Sequence, residues 1–398
     1  MSLVNSQKYA LEERRCSVCG KRFQAPRTSP PGRTCSAECG VRHREARRLE
    51  KQAAEIKEPL QVDGEITALL KKKTGAPWSL ESICDALDRS PKTVKDAISR
   101  LQNSGYNLKV HEDNISLDPV DQPSVITSAM SHDLSDYSQK WWKFGLCGDK
   151  HLCNMHARLD VLKLLYDLYE AEGIDTVYDT GNWIDGEARF NRSELLVHGM
   201  DAQIDYWIDN HPQRKGITTY FVAGDDHEGW YQQRECIEIG RYAQMRAEKA
   251  GRNDLVYLGY AEARVVLKAK HGERVMMVNH PGGGSSYAVS YKGQKHVESL
   301  QGGEKPAIIL QGHYHKFNYG YPREVHVVDS STVCDQTLFM RKRNLQAHVG
   351  GQIIEAMQAP DGRITRFRCE FLPFYDRGFY EHNSRKFGLP KQRAKVPA

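Results

Sequence analysis

Apolar residues fall in short runs over the last two thirds of this chain, and most runs stop abruptly at a glycine or an asparagine. The runs at 144–147, 176–179, 219–223, 256–258, 264–270, 275–279, 307–311 and 325–329 predict strands, and 364–372 predicts a last one. Between the early runs, apolar residues three and four apart predict helices at 156–171, 193–209 and 230–249. Strand–helix alternation followed by strand-rich sequence predicts an α/β fold in which packed sheets are flanked by helices.

The first 117 residues are patterned differently. Residues 65–73 read as a helix, and a second begins near Ser79 with Leu80, Ile83 and Leu87 on one face. Ser90 caps a third helix that has Pro91 at its first position and Val94, Ile98 and Leu101 facing a core. The alternating stretch after Gly105 then turns at Glu112-Asp113-Asn114 as a hairpin would. This order resembles a winged helix-turn-helix over 61–117. The resemblance implies that Lys92, Thr93, Lys95 and Ser99 face a nucleic-acid groove. The segment is nearly charge-neutral, so a winged helix that binds protein stays open.

Two residues separate Cys16 from Cys19, fifteen separate Cys19 from Cys35, and three separate Cys35 from Cys39. Such paired thiols bring four sulfurs to one tetrahedral Zn²⁺, and the intervening loop offers too little apolar surface to fold without it. The pattern resembles a treble-clef or ribbon zinc finger. A charged helix at 36–57, with the run Arg42 to Arg48, suits phosphate contacts or a solvated face equally. The domain reading is a zinc module with its basic helix at 1–60, the winged helix at 61–117, and a polar linker at 118–139. The α/β domain at 140–376 and a basic tail at 377–398 complete it.

At 398 residues, 39% hydrophobic and 27% charged, the composition is that of a globular protein with two or three cores. The N-terminal stretch lacks the apolar core of a signal peptide, and no run is long enough to span a membrane. The expected compartment is the cytoplasm, of a prokaryotic or phage-infected cell. Net charge is +5, and residues 1–50 hold eleven Lys and Arg against five Asp and Glu, a balance that suits a polyanionic partner. Cys84, Cys147, Cys153, Cys236, Cys334 and Cys369 lack ligand spacing and read as free thiols.

Chemistry concentrates where the strands end. Five ends carry Asp149-Lys150-His151, Asn182 to Asp185, Asp225-Asp226-His227-Glu228, Asn279-His280 and His313-Tyr314-His315. Taken singly, the Gly224–Glu228 cluster reads equally as a polar turn capping the next helix. In series, the five resemble the calcineurin-like metallophosphoesterase superfamily, whose pattern is D-x-H, G-D-x-x-D, G-N-H-D/E, a lone His and G-H-x-H.

The resemblance implies a four-layer α/β/β/α sandwich and two divalent metals. Asp149, His151 and His315 would hold one metal, Asp226, His280 and His313 the other, and Asn182 would bridge them. His227 would be the general acid or phosphate-stabilising group, oriented by Asp185. Asp, Asn and His ligands suit Mn²⁺, with Fe or Zn²⁺ next, rather than Ca²⁺. Two such ions about 3.5–4 Å apart supply a hydroxide near neutral pH and neutralise phosphoryl charge.

Two positions depart from the family pattern: Asn182 stands where it has Asp, and Asp226 where it has Asn. The changes are opposite, so the count of carboxylates around the metals is preserved. The expected activity is phosphodiester hydrolysis of nucleic acid, most simply DNA, by a metal-dependent nuclease. Two alternatives stand beside it: a small-molecule or protein phosphatase with docking modules, and a non-catalytic DNA-binding regulator. A protein partner or an oligomer stays open.

Overall fold

The computed structural model describes residues 11–26, 34–118, 130–137 and 140–375. The expected basic tail at 377–398 and most of the linker lie outside the described residues. Two compact units make up the chain, Met1–Leu101 with Val110–Ser116, and Gln102–Lys109 with Leu117–Ala398.

In the first unit, β1 (Leu11–Arg15) and β2 (Arg22–Pro26) form an antiparallel hairpin. Helix α1 (Ala37–Lys71) follows, with Ser36 Oγ accepting the Cys39 amide at its start. Two helices were expected here, at 36–57 and 65–73, and the structure has one of 35 residues. Its far end is anchored by Val62, Ile66, Leu69 and Leu70, which are buried and three or four apart. Next come β3 (Trp78–Ser79), α2 (Leu80–Leu87) and α3 (Pro91–Asn103). Ser79 and Ser90 each accept a backbone amide three residues on, which caps these helices. The hairpin of β4 (Leu108–His111) and β5 (Asn114–Leu117) closes the segment, in sheet order β3-β5-β4. Arg100 is paired with Asp63 at 2.6 Å and Arg89 with Glu65 at 3.3 Å, so ion pairs as well as apolar contact hold α3 and its approach to α1.

The second unit is built on two six-stranded sheets. Its elements in chain order are β6 (Ser131–Asp133), β7 (Trp141–Cys147), α4 (Leu159–Ala171), β8 (Thr176–Asp179), α5 (Met200–Asn210) and β9 (Thr218–Ala223). There follow α6 (Glu228–Glu235), α7 (Ile239–Lys249), β10 (Leu255–Tyr260), β11 (Glu262–Lys268) and β12 (Glu273–Asn279). The chain then runs through α8 (Tyr291–Ser299), β13 (Ile308–Gln311), β14 (Asn318–Gly320), β15 (His326–Asp329) and α9 (Leu338–Lys342). Strands β16 (Gly350–Gln358) and β17 (Ile364–Pro373) end it. One sheet has the order β10-β9-β8-β7-β16-β17 and the other β14-β15-β13-β12-β11-β6.

Alternation along the strands sorts the side chains into layers. Phe144, Leu146, Tyr178, Val222, Met276, Val278, Ile308 and Leu310 share the core between the sheets. Val177 and Phe221 face the other way, onto Leu165, Tyr166, Ile204, Trp207 and Ala243 from α4, α5 and α7. Met277, Ile309 and Val327 likewise meet Val297 of α8. The result is helix, sheet, sheet, helix. Strands β7, β8, β9 and β10 run parallel, as do β12, β13 and β15, so their carboxyl ends gather at sheet edges.

Several boundaries differ from expectation for local reasons. The 118–139 stretch is not all linker, because Ser131–Asp133 pairs in parallel with β11. The 230–249 helix breaks at Cys236, whose φ of 53° is left-handed. The 193–209 helix starts only at Met200. Before it, buried Glu194 is held by the His156 ring and the Leu338 amide, which fixes the chain in a different path.

Candidate metal centre

Each sequence-expected ligand of the hydrolytic domain lies just beyond a strand end, and side-chain packing brings them into two groups. Asp149, His151 and His315 have ligand atoms within 4.8 Å of one another, and so do Asp226, His280 and His313. In the first group, Asp149 Oδ1 lies 3.4 Å from His315 Nε2 and 3.9 Å from His151 Nε2. In the second, Asp226 reaches His280 Nε2 at 3.4 Å and His313 Nδ1 at 3.2 Å.

The groups are joined. Asp149 Oδ2 accepts the backbone amide of His313, a member of the second group, at 2.9 Å. Asn182 donates from Nδ2 to Asp149 Oδ1 at 3.4 Å, and its Oδ1 lies beside Gly224, against which His280 also packs. Gly224 is required by this approach: a Cβ there would sit 2.6 Å from Asn182 Oδ1 and 2.8 Å from the His280 ring. Gly181, at φ +99°, is similarly close to His280.

The donor set has the features of a cation site. Asn182 Oδ1, Asp226 Oδ1, His280 Nε2 and His313 Nδ1 are buried and lack hydrogen-bond partners, an arrangement that is costly unless something positive meets them. Oxygen and imidazole donors in this mixture suit Mn²⁺, Fe or Zn²⁺. Burial opposes ionisation of Asp226, yet His227, His280 and His313 hold its carboxyl far below the usual range. Burial likewise opposes protonation of His280, but Asp226 and Asp149 push it up to about 9. The centre thus attracts positive charge even when that charge is only protons.

Neighbouring groups orient these side chains. His151 Nδ1 donates to Asp185 Oδ1 at 2.9 Å, which turns its Nε2 toward Asp149 and His315. Asp185 also accepts from Asn154 and Asn191, so its carboxylate is fixed from three sides. His227 was expected to be oriented by this carboxylate. Its Nδ1 bonds the Asp185 backbone carbonyl at 2.7 Å and lies 3.3 Å from the carboxylate Oδ1, and its ring packs on His151 at 4.4 Å. Burial lowers its basicity, but Asp226 and Asp185 outweigh that and push His227 up to about 10. Glu228 Oε1 accepts the amides of both Gly224 and Asn182, tying the ends of β8 and β9 together.

One part of the site was not anticipated. Lys150, between Asp149 and His151, is fully buried and paired with Asp179 at 2.5 Å. His211 is also buried and lies 3.1 Å from the Lys150 ammonium; burial first, and that charge next, hold its imidazole well below the usual range. Asp179 accepts the Gly181 amide as well, so the pair couples the turn at Asp149–His151 to the turn at Gly181–Asn182. A lysine inside D-x-H is the only sequence signal for this, and its partner is far away in the chain. Asp149, His151, Asn182, His313 and His315 all have positive φ, between 45° and 78°.

The first unit holds a separate donor set. Sulfurs of Cys16, Cys19, Cys35 and Cys39 lie within 4.8 Å of one another, and all ten cysteines are free of disulfides. In α3, Lys92, Lys95 and Ser99 are exposed, whereas Thr93 spends its hydroxyl on Ser90 in the helix cap. Among the described residues, no helix is long and apolar enough to cross a membrane.

No protein-family model matches the chain, and no curated protein matches it. Solved structures resemble it in shape. An archaeal phosphodiesterase is 12% identical over 58% of this chain and 100% of its own, with a TM-score of 0.33. Vacuolar protein sorting 29 of Cryptosporidium parvum is 13% identical over 59% of this chain and 99% of its own, with a TM-score of 0.31. A predicted phosphoesterase of Streptococcus pneumoniae is 13% identical over 58% of this chain and 98% of its own, with a TM-score of 0.27. Overlap this small carries no statement about activity, and the chain's own geometry is what bears on its chemistry.

Proposed function

We propose that this chain is a two-metal phosphodiester hydrolase acting on nucleic acid, most simply a DNA nuclease. The observation that carries the reading is the pair of acid–histidine groups joined through Asp149 and Asn182, with buried unpartnered atoms on Asn182 and in the second group. Asp149, His151 and His315 would hold one cation and Asp226, His280 and His313 the other, with Asn182 Oδ1 between them. Two divalent ions, Mn²⁺ foremost, would supply Lewis acidity for activating water and neutralising phosphoryl charge.

The remaining residues act on the substrate and on the ligands. His227, protonated and beside the first group, is placed to stabilise a phosphoryl oxygen or to give a proton to the leaving alkoxide. Asp185 fixes the tautomer of His151. The exchanged pair Asn182 and Asp226 keeps two carboxylates and one amide in the set, which favours an active centre over a degenerate one. Nucleic acid is favoured over a small phosphate ester by the N-terminal unit. There, Lys92, Lys95 and Ser99 offer an exposed polar and basic helix face, and Cys16, Cys19, Cys35 and Cys39 would hold a structural Zn²⁺.

The test is hydrolysis with Mn²⁺ of single-stranded, double-stranded and nicked DNA beside chromogenic mono- and diesters, with His227→Ala as control. We expect cleavage of DNA and of the diester. Hydrolysis of monoesters alone would sink the nuclease reading, and no hydrolysis with Mn²⁺, Fe²⁺ or Zn²⁺ would favour a DNA-binding regulator.

A further inference from the structure

The segment after His280 runs Pro281-Gly282-Gly283-Gly284-Ser285-Ser286-Tyr287 and enters α8 at Tyr291. It is fastened to the metal centre, because His313 Nε2 donates to the Gly283 carbonyl at 2.6 Å. Between this segment and the His313–His315 turn lies a shallow cleft lined by Ser285, Ser286, Lys292, Tyr314, Lys316 and Asp329. Lys316 Nζ reaches Ser285 Oγ at 3.3 Å, and Lys292 Nζ lies over the Tyr314 ring at 5.9 Å. Tyr314 in turn packs against the ligand His313, with ring centroids 5.2 Å apart. Lys292 therefore stands one side chain, Tyr314, away from His313 of the second group, and Lys316 stands at Ser285 across the cleft.

Among the described residues, no carboxylate lies at ion-pair distance from Lys292 or Lys316, whereas Lys295 on the same helix is paired with Glu298. The one acid in the cleft, Asp329, is bonded by both Gln311 and Asn318, and burial pushes its carboxyl up to about 6. The interior of the cleft admits about one water, ≈ 10 Å³, so an anion would sit at its mouth, under the lysines and serine hydroxyls. On the same segment Tyr287 is entirely in water, at 105% of its reference exposure, and Tyr291 is half exposed. Ordinary folding leaves few aromatic rings so uncovered, and nothing on this segment packs against Tyr287.

We infer that Lys292, Lys316 and Ser285 form a subsite for the phosphate next to the scissile one, with Tyr287 stacking on an unpaired base, so that the substrate is a single strand of nucleic acid. The inference rests on the phosphodiesterase reading of the adjacent centre and narrows it. A small diester has one phosphate, which the metal centre takes. A second cationic position beside it has use only for a ligand whose phosphates repeat. Stacking on an exposed ring needs a base that is free of its partner, which a strand end, gap or loop supplies and an intact duplex does not.

The test compares a fluorescein-labelled oligothymidylate with bis(p-nitrophenyl) phosphate, both with Mn²⁺, using Lys292→Ala/Lys316→Ala and Tyr287→Ala. The ratio of kcat/KM for the oligonucleotide over that for the chromogenic diester should fall at least tenfold in the double variant and several-fold in Tyr287→Ala. The salt slope of oligonucleotide binding, read by anisotropy without added Mn²⁺, should flatten by about 0.7 for the one phosphate released. An unchanged ratio overturns the subsite and leaves the phosphodiesterase reading standing. A full-chain protein inactive on both substrates ends that reading, and the subsite is then decided by anisotropy alone. Weaker binding by the double variant supports it, and equal binding overturns it.

Discussion

Asp185 and His151 are joined by a 2.9 Å hydrogen bond from ring Nδ1 to carboxylate Oδ1, and this bond decides which nitrogen of His151 is left with a lone pair. Nε2 is that nitrogen, and it faces Asp149 and His315. Asp185→Asn keeps the shape but can present an amide N–H to the ring, which favours the wrong tautomer. We expect Mn²⁺ affinity to fall 10- to 100-fold, as replacement of such orienting groups generally does. Equilibrium dialysis measures it, and unchanged affinity would show that the bond is incidental.

The exchange of carboxylate and amide between positions 182 and 226 gives a second prediction. Asp226→Asn removes the only carboxylate of its group, so Mn²⁺ binding and hydrolysis should drop tenfold or more. Adding Asn182→Asp should recover a large part, because it returns the lost charge to the same centre. The backbone will accept that change, since Asn182 sits at φ 53°, a region open to Asp as well. Full activity in the single variant, or no recovery in the double one, contradicts the compensation.

Lys150 and Asp179 form a fully buried ion pair. Lys150→Met should cost about 3–5 kcal/mol in urea unfolding, because Asp179 is left charged without its partner. Lys150→Met/Asp179→Asn should be closer to the parent than the single variant. Additive losses in the two positions would mean that the pair is not coupled.

His326 stacks on Phe367 with ring centroids 4.3 Å apart and takes a 2.9 Å bond between its Nδ1 and the Tyr319 hydroxyl. Burial lowers the imidazole to about 4. The unfolded chain, with an ordinary histidine near 6.5, therefore binds the proton first as pH falls. Stability from this group is complete above about pH 6.5 and is lost progressively toward pH 4. His326→Gln should lose less stability than the parent between pH 7.5 and 5 in urea titrations. Parallel pH profiles would assign the acid sensitivity elsewhere.

The strands were readable because a buried strand is a short apolar run with a hard stop, as at Thr218–Ala223 before Gly224. The stops also carry polar residues, and the family resemblance singled out Asp149, His151, Asn182, Asp226, His280, His313 and His315 among them, side chains that the sheets gather at one edge. What could not be read depends on distant partners. Nothing local says that Lys150 turns inward, because Asp179 and His211 lie far along the chain. Glu228 is legible as an acid in a turn, but its hold on the Asn182 amide is a contact across strands. Helix ends at 193–209 and 230–249 were misplaced for the same reason: buried Glu194 and left-handed Cys236 override the local periodicity.

The left-handed backbone at Asp149, His151, Asn182, His313 and His315 restricts which residues can be exchanged there. Asparagine, aspartate and histidine are the non-glycine residues most at ease in that region, and they are also the ones that bind cations. Backbone and chemistry thus draw on one small alphabet. An alanine scan of this centre will overstate the loss of ligation, since each alanine also carries a conformational penalty that the native side chain does not. Glycine and asparagine replacements at the same positions would separate the two, and a designer moving this centre to another scaffold would have to carry over the turns along with the side chains.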